Sequence, residues 1–234
     1  MSRVDLPIPR RLPSVMLAVV AFLIIMSTVG QFSRFLLGHP KLMGFVPAFY
    51  LDYESNIPTW WSSFALAICA ALAALIAWAS AGERERWHWV AISGVLLFLS
   101  MDEVAMIHEY PIDPMRDAFG FGGALYYPWV IPGAALVLVV GLSFARFAWR
   151  LPRATSMGLV AGGMVFVGGA ICVEMISGMI ADAHGENTFA YAMTITVEEA
   201  LEMLGVVLVA RTFVRHLHNH CKVTPAMKDT CPAT

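Results

Sequence analysis

The chain contains four long stretches with no Asp, Glu, Lys or Arg: residues 14–33, 55–82, 118–145 and 154–173. A bilayer core about 30 Å thick is crossed by roughly 20 residues of helix, so each stretch is long enough to span it. Composition agrees, at 59% hydrophobic and 14% charged residues, against roughly 45–50% and 25% in soluble domains. An ordinary soluble domain is excluded. The fold expected is an all-α polytopic transmembrane bundle of six helices, over 14–37, 59–81, 87–108, 126–149, 156–181 and 189–215. Residues 1–217 then form one transmembrane domain, and 218–234 a disordered cytoplasmic tail. The first apolar run exceeds the 7–15 residues or so of a signal-peptide core, and no small-residue cleavage site follows it. It is read as a retained helix.

Basic residues set the orientation. With the N-terminus inside and six spans, all 15 Lys and Arg residues except Arg34, Lys41 and Arg116 fall on the inner side. Both termini are therefore expected in the cytoplasm, and the protein in the plasma (inner) membrane. Tyr50, Tyr53, Trp60, Trp61, Tyr126, Tyr127 and Trp129 gather at expected outer boundaries, and Trp78, Trp87, Trp89 and Trp149 at inner ones, as interfacial anchors do. Inner connections are short, whereas the outer ones over 38–58 and 110–125 are long. Any accessible site should therefore open outward. Pro40, Pro47, Pro58, Pro111 and Pro114 in the outer connections favour fixed, non-helical paths. Cys69 and Cys172 fall within spans and Cys221 and Cys231 in the tail, a distribution that gives no disulfide framework. There is no internal repeat and no second domain.

Ionisable residues inside a membrane are costly and face a bundle interior or a wet cavity. The third helix carries Asp102, Glu103, His108 and Glu109, the fifth Glu174 and Asp182, and the sixth Glu198, Glu199 and Glu202. At 1.5 Å per residue, Asp102 and Glu103 lie roughly 10 Å from the outer end of their helix, Glu174 about 12 Å and Glu198 about 15 Å. Sequence-distant acids thus reach one layer. On the sixth helix Tyr191, Thr194, Glu198, Glu202 and Gly205 form one stripe, with Glu199 at its edge. On the fifth, Gly163, Ala170, Glu174, Ser177, Gly178 and Asp182 share a face. Asp102 stacks on Glu109, and His108 joins them only if the helix is distorted near Pro111. Asp52 and Glu54 read as solvated loop acids, and Arg34 as a residue reaching for outer headgroups.

So many carboxylates in low dielectric do not all ionise. A divalent metal (iron, zinc or manganese) would compensate them, with Asp102, Glu103, His108, Glu109, Glu174, Glu198, Glu199 and Glu202 as candidate ligands. His184 is a weaker one. The spacing does not match the Glu-x-x-His pairs of di-iron bundles. The reading is a membrane-embedded enzyme acting on a lipid or small apolar substrate from the outer side. The alternatives are a proton- or cation-coupled transporter and a membrane subunit of a larger complex. The partner expected is the bilayer, and no nucleic acid. The tail residues His216, His218, His220 and Cys221 alternate in a way that would scatter them on a helix, against a metal tract.

Overall fold

The computed structural model describes residues 8–220, and these are helical with no strand. Helix α1 spans Leu12–Leu36, the short α2 Phe45–Phe49, α3 Ile57–Ala79 and α4 Arg86–Ala105. The amphipathic α5 covers Ile112–Phe119 and α6 Val130–Arg150. Helix α7, Arg153–Val167, runs through a π-helical turn, Gly168–Val173, into α8, Glu174–His184. Helix α9, Phe189–His220, is the last described element. Five helical segments are long and apolar enough to cross a membrane: α1, α3, α4, α6 and the continuous Arg153–His184. The chain is thus a membrane protein by length and composition of its helices.

Helix α9 takes the central place, packed against α1, α3, α7 and α8. The core is built from one stripe of each: Met16, Val20 and Leu23 of α1, Leu66, Cys69, Ala73 and Ile76 of α3, and Met203, Val206, Ala210 and Phe213 of α9. Against α7 the backbones themselves touch. A Cβ on Gly205 would lie 2.7 Å from the Phe166 nitrogen and 2.8 Å from the Gly162 carbonyl oxygen. One on Gly169 would lie 2.7 Å from the Glu198 carbonyl oxygen. Small residues allow such approach in membrane helices. Gly163, expected on this face, has nothing within 4 Å; Gly162 occupies it instead.

Helix α4 is held to α3 by reciprocal bonds, Ser63 Oγ to the Ser100 carbonyl at 2.7 Å and Ser100 Oγ to the Ser63 carbonyl at 2.8 Å. Helix α6 packs on α7 and the π turn. Between α4 and α6 the ring contacts lie near the two ends. His88 stacks on Phe147 with centroids 4.5 Å apart, and His108 meets Trp129 at 4.8 Å.

Several boundaries differ from expectation. The third span stops at Ala105 rather than 108, because Met106 takes a left-handed conformation (φ 50°) and caps it. A tight turn, Ile107–Glu109, follows. The proline-bearing loops are partly helical. Pro47 lies in α2, and Pro111 caps α5 with Pro114 inside it, since a proline in a first turn removes only an N–H with no intrahelical partner. Asn56, Pro58 and Thr59 form a helix cap. Asn56 Oδ1 accepts from Thr59 N at 3.2 Å while its Nδ2 donates to the Tyr50 carbonyl at 2.6 Å. The last helix runs beyond 215 to His220, with His216 buried against Thr155 at 3.0 Å. Cys221, Cys231 and the rest of the expected tail lie outside the described residues.

Candidate functional site

At the end of the bundle that carries the long connections, a cavity of about 650 Å³ is enclosed by α3, α4, α6, α7 and α9. Asp102, Glu103, His108, Glu109, Glu174, Glu198, Glu199 and Glu202 all line it. Asp52, Glu54 and Glu186 line it too, although the first two read as solvated in the sequence. The loop before α3 folds over the bundle and brings them in. On α9 the lining residues are Tyr191, Ile195, Glu198, Glu199 and Glu202. Ile195 thus stands where Thr194 was expected, and Glu199 faces the cavity fully.

The polar side chains form two chains of contact. In the first, Asp102 Oδ1 accepts from His108 N at 3.0 Å, and its Oδ2 lies 2.8 Å from His108 Nδ1. The left-handed Met106 makes this possible by turning the chain back onto α4. The expected stacking of Asp102 on Glu109 needed an unbroken helix. His108 leans on Trp129, whose Nε1 donates to Glu174 Oε1 at 3.1 Å. Ser177 Oγ lies 2.9 Å from the Glu174 carbonyl oxygen and 3.1 Å from Glu198 Oε2. Glu198 is buried, at 4% exposure.

The second chain roofs the cavity. Tyr191 OH donates to Asp52 Oδ1 at 3.1 Å, the Tyr191 and Tyr127 hydroxyls are 2.9 Å apart, and Tyr127 OH donates to Glu186 Oε1 at 2.8 Å. Burial pushes the Asp52 carboxyl up to about 6, although hydrogen bonds from Tyr191 and Tyr50 pull it down. Burial lowers the His108 imidazole, but the bond and charge of Asp102 outweigh it, with Glu109 and Glu174 adding to them, and leave it raised.

The other wall is apolar. Phe98 and Leu99 of α4, Leu136 and Val137 of α6, and Phe166, Val167 and Ile171 around the π turn complete the lining. Phe98 and Leu136 are also 42% and 51% exposed on the flank. The apolar wall therefore reaches the outer flank of α4 and α6.

Among the described residues, no three His, Cys, Asp or Glu side chains come together as a metal-holding group. The candidates are spread around the wall, with Asp102, Glu174 and Glu198 engaged by His108, Trp129 and Ser177. His184 is exposed at the end of α8 and does not line the cavity. Arg34 donates to Asn187 Oδ1 at 2.7 Å and lies over the Phe35 and Tyr50 rings. It therefore braces the connection into α9. Asp182 is bound to Gly123 N at 2.8 Å. Depth along a helix says nothing of how a loop folds back, so sequence reasoning missed Glu186, Tyr127 and Trp129 as cavity residues.

Residues 15–217 match the family described as Domain of unknown function (DUF8692), and the chain belongs to it. No curated protein and no solved structure matches the chain.

Proposed function

We propose that this member of the DUF8692 family is a membrane-embedded enzyme whose acid–base site takes an amphiphile from the bilayer. One observation carries the reading: His108, held by Asp102 through two hydrogen bonds, lines a cavity that is acidic on one side and walled on the other by apolar residues that reach the flank. With Nδ1 turned to Asp102, Nε2 is the nitrogen left to exchange a proton with a bound headgroup or water, as general acid–base catalysis requires. The apolar wall suits an aliphatic tail. The lining contains no Lys or Arg, so a phosphate or carboxylate headgroup would find no fixed cation among the many acids. The headgroup we infer is neutral or a protonated amine. No step of this proposal runs through a metal.

Helix α9 we read as the sixth span. Its acids meet neighbouring helices and the cavity rather than lipid, which is how charged groups persist inside membranes. On that reading the excess of basic residues on one side supports cytoplasmic termini and a cavity in the outer half, and we infer a plasma-membrane location. A proton or cation path is the rival reading. Beyond Glu202, however, α9 continues as Gly205, Val206, Val207, Leu208 and Val209, which offers such a path no polar side chain.

The test is the full chain in vesicles of lipid extracted from its producing cells, with lipids followed by mass spectrometry. Conversion of a neutral or amine-bearing amphiphile is expected, and His108→Gln should slow it about 10²–10⁴-fold. Unchanged lipids, together with a proton flux that Glu202→Gln abolishes, would move the assignment to transport.

A further inference from the structure

Next to the main cavity lies a second, much smaller void of about 10 Å³. Leu66, Glu103, Phe166 and Glu202 line both, so they form the partition between the two. The remaining polar side chains around the void are Trp61 and Ser62 of α3. Val20, Ala65, Met203, Val206 and Val207 close it off. The Trp61 Nε1–H is buried and has no hydrogen-bond partner among the described residues.

A buried N–H without an acceptor is rare in folded proteins and calls for an explanation. Apolar voids stay dry, but a space of roughly 10–15 Å³ of probe volume with two to four polar partners holds one water. This void is at that size and has such partners. Its two carboxyl-bearing residues come from different helices, Glu103 from α4 and Glu202 from α9.

We propose that one water molecule occupies this void, accepts from Trp61 Nε1 and bridges the carboxyl groups of Glu103 and Glu202, which share a proton through it. In the bridged state one carboxyl is protonated and donates to the water, while the water donates to the other carboxylate. When the proton moves, the water oxygen gains one hydrogen and releases another. One acid is ionised in its partner's place and the water is restored. Two acids that could not both be charged in this setting thus act as one unit carrying a single negative charge. Trp61 is the positioning residue of that unit. The inference rests on the void and its orphan donor, and it stands apart from the enzyme reading.

The test uses the full chain in lipid nanodiscs with ¹⁵N-labelled tryptophan, the Trp61 indole signal being identified by its loss in Trp61→Phe. Solid-state NMR should show magnetisation transfer from a water to the Trp61 indole proton. Val206→Ile, which adds a methylene at the void, should abolish it. An indole proton with no water transfer in the wild type would overturn the site, whether or not the variant folds. Infrared spectra decide the shared proton. A broad continuum displaced in H₂¹⁸O and lost in both Glu103→Gln and Glu202→Gln is expected, and its persistence in either variant would overturn the relay.

Discussion

Asp102 takes both hydrogen bonds that His108 directs at it, one from the backbone N–H at 3.0 Å and one on the imidazole edge at 2.8 Å. The contact closes a loop of only six residues and depends on Met106 leaving the helix. Asp102→Asn should therefore move the His108 titration to lower pH, read from its ring signals by NMR. The sign follows from the raised imidazole value. Stabilisation by the charged pair is full below the ordinary histidine value near 6.5 and is lost as pH rises through the raised one. In the variant that loss should vanish.

The roof of tyrosines predicts a second pH response, of opposite chemical origin. Three links join Asp52, Tyr191, Tyr127 and Glu186, with Asp52 accepting from Tyr191. Burial nevertheless pushes the Asp52 carboxyl up from 3.8 to about 6. An acid raised in the folded state favours folding while protonated. The thermal midpoint should therefore fall as pH rises from about 4 to about 6 and level off beyond, following Asp52. Asp52→Asn, which cannot ionise, should flatten that interval.

Backbone contact between α7 and α9 leaves no space for a methyl group. Gly205→Ala should cost about 1–3 kcal/mol or more by overpacking, measured as a lowered unfolding midpoint in detergent. Gly163→Ala, with open space around it, should be neutral or stabilising by about 0.4–1 kcal/mol. Equal effects at the two positions would contradict the crossing described.

Entry of a tail along the apolar wall makes a kinetic prediction. Val137 lines the cavity on α6 and is 37% exposed. Val137→Trp should raise the KM for a long-tailed amphiphile while sparing kcat, since it alters the wall and not the His108–Asp102 pair. A fall in kcat alone would show that tails do not enter there.

Reporter fusions check the sixth span. A reporter at Arg84 should read as cytoplasmic and one at Glu186 as external. The reverse pattern would invert the placement of the cavity.

Much of the fold was legible in the charge-free stretches, because crossing a bilayer imposes length and apolarity on a helix whatever its neighbours. Helix α9 is the instructive case. It falls outside the five apolar segments, carrying Glu198, Glu199, Glu202, Arg211 and Arg215, yet its central position gives the three acids protein surroundings, while Arg211 and Arg215 near its end stay exposed. For the site, the rise per residue sufficed to bring acids of α4, α8 and α9 to one level. It did not foresee that Met106 would end α4 early, that Asp52 would fold inward, or that Asp102, Glu174 and Glu198 would each be taken by a protein donor. Those depend on one left-handed residue and on loop paths that periodicity does not encode. The histidine–carboxylate pairing, six residues apart, had no helical spacing to announce it.

The π turn at Gly168–Val173 has a consequence for the angle at which everything after it points. A wide turn of this kind amounts to one residue more than an α-helix would use, and one residue is about 100° of rotation. Forcing Arg153–His184 into a regular helix with every residue kept would swing Glu174 about a quarter turn away from Trp129, whereas deleting Ala170 at the same time would bring it back. The one surplus residue, itself no acid, thus decides which way that corner of the site faces.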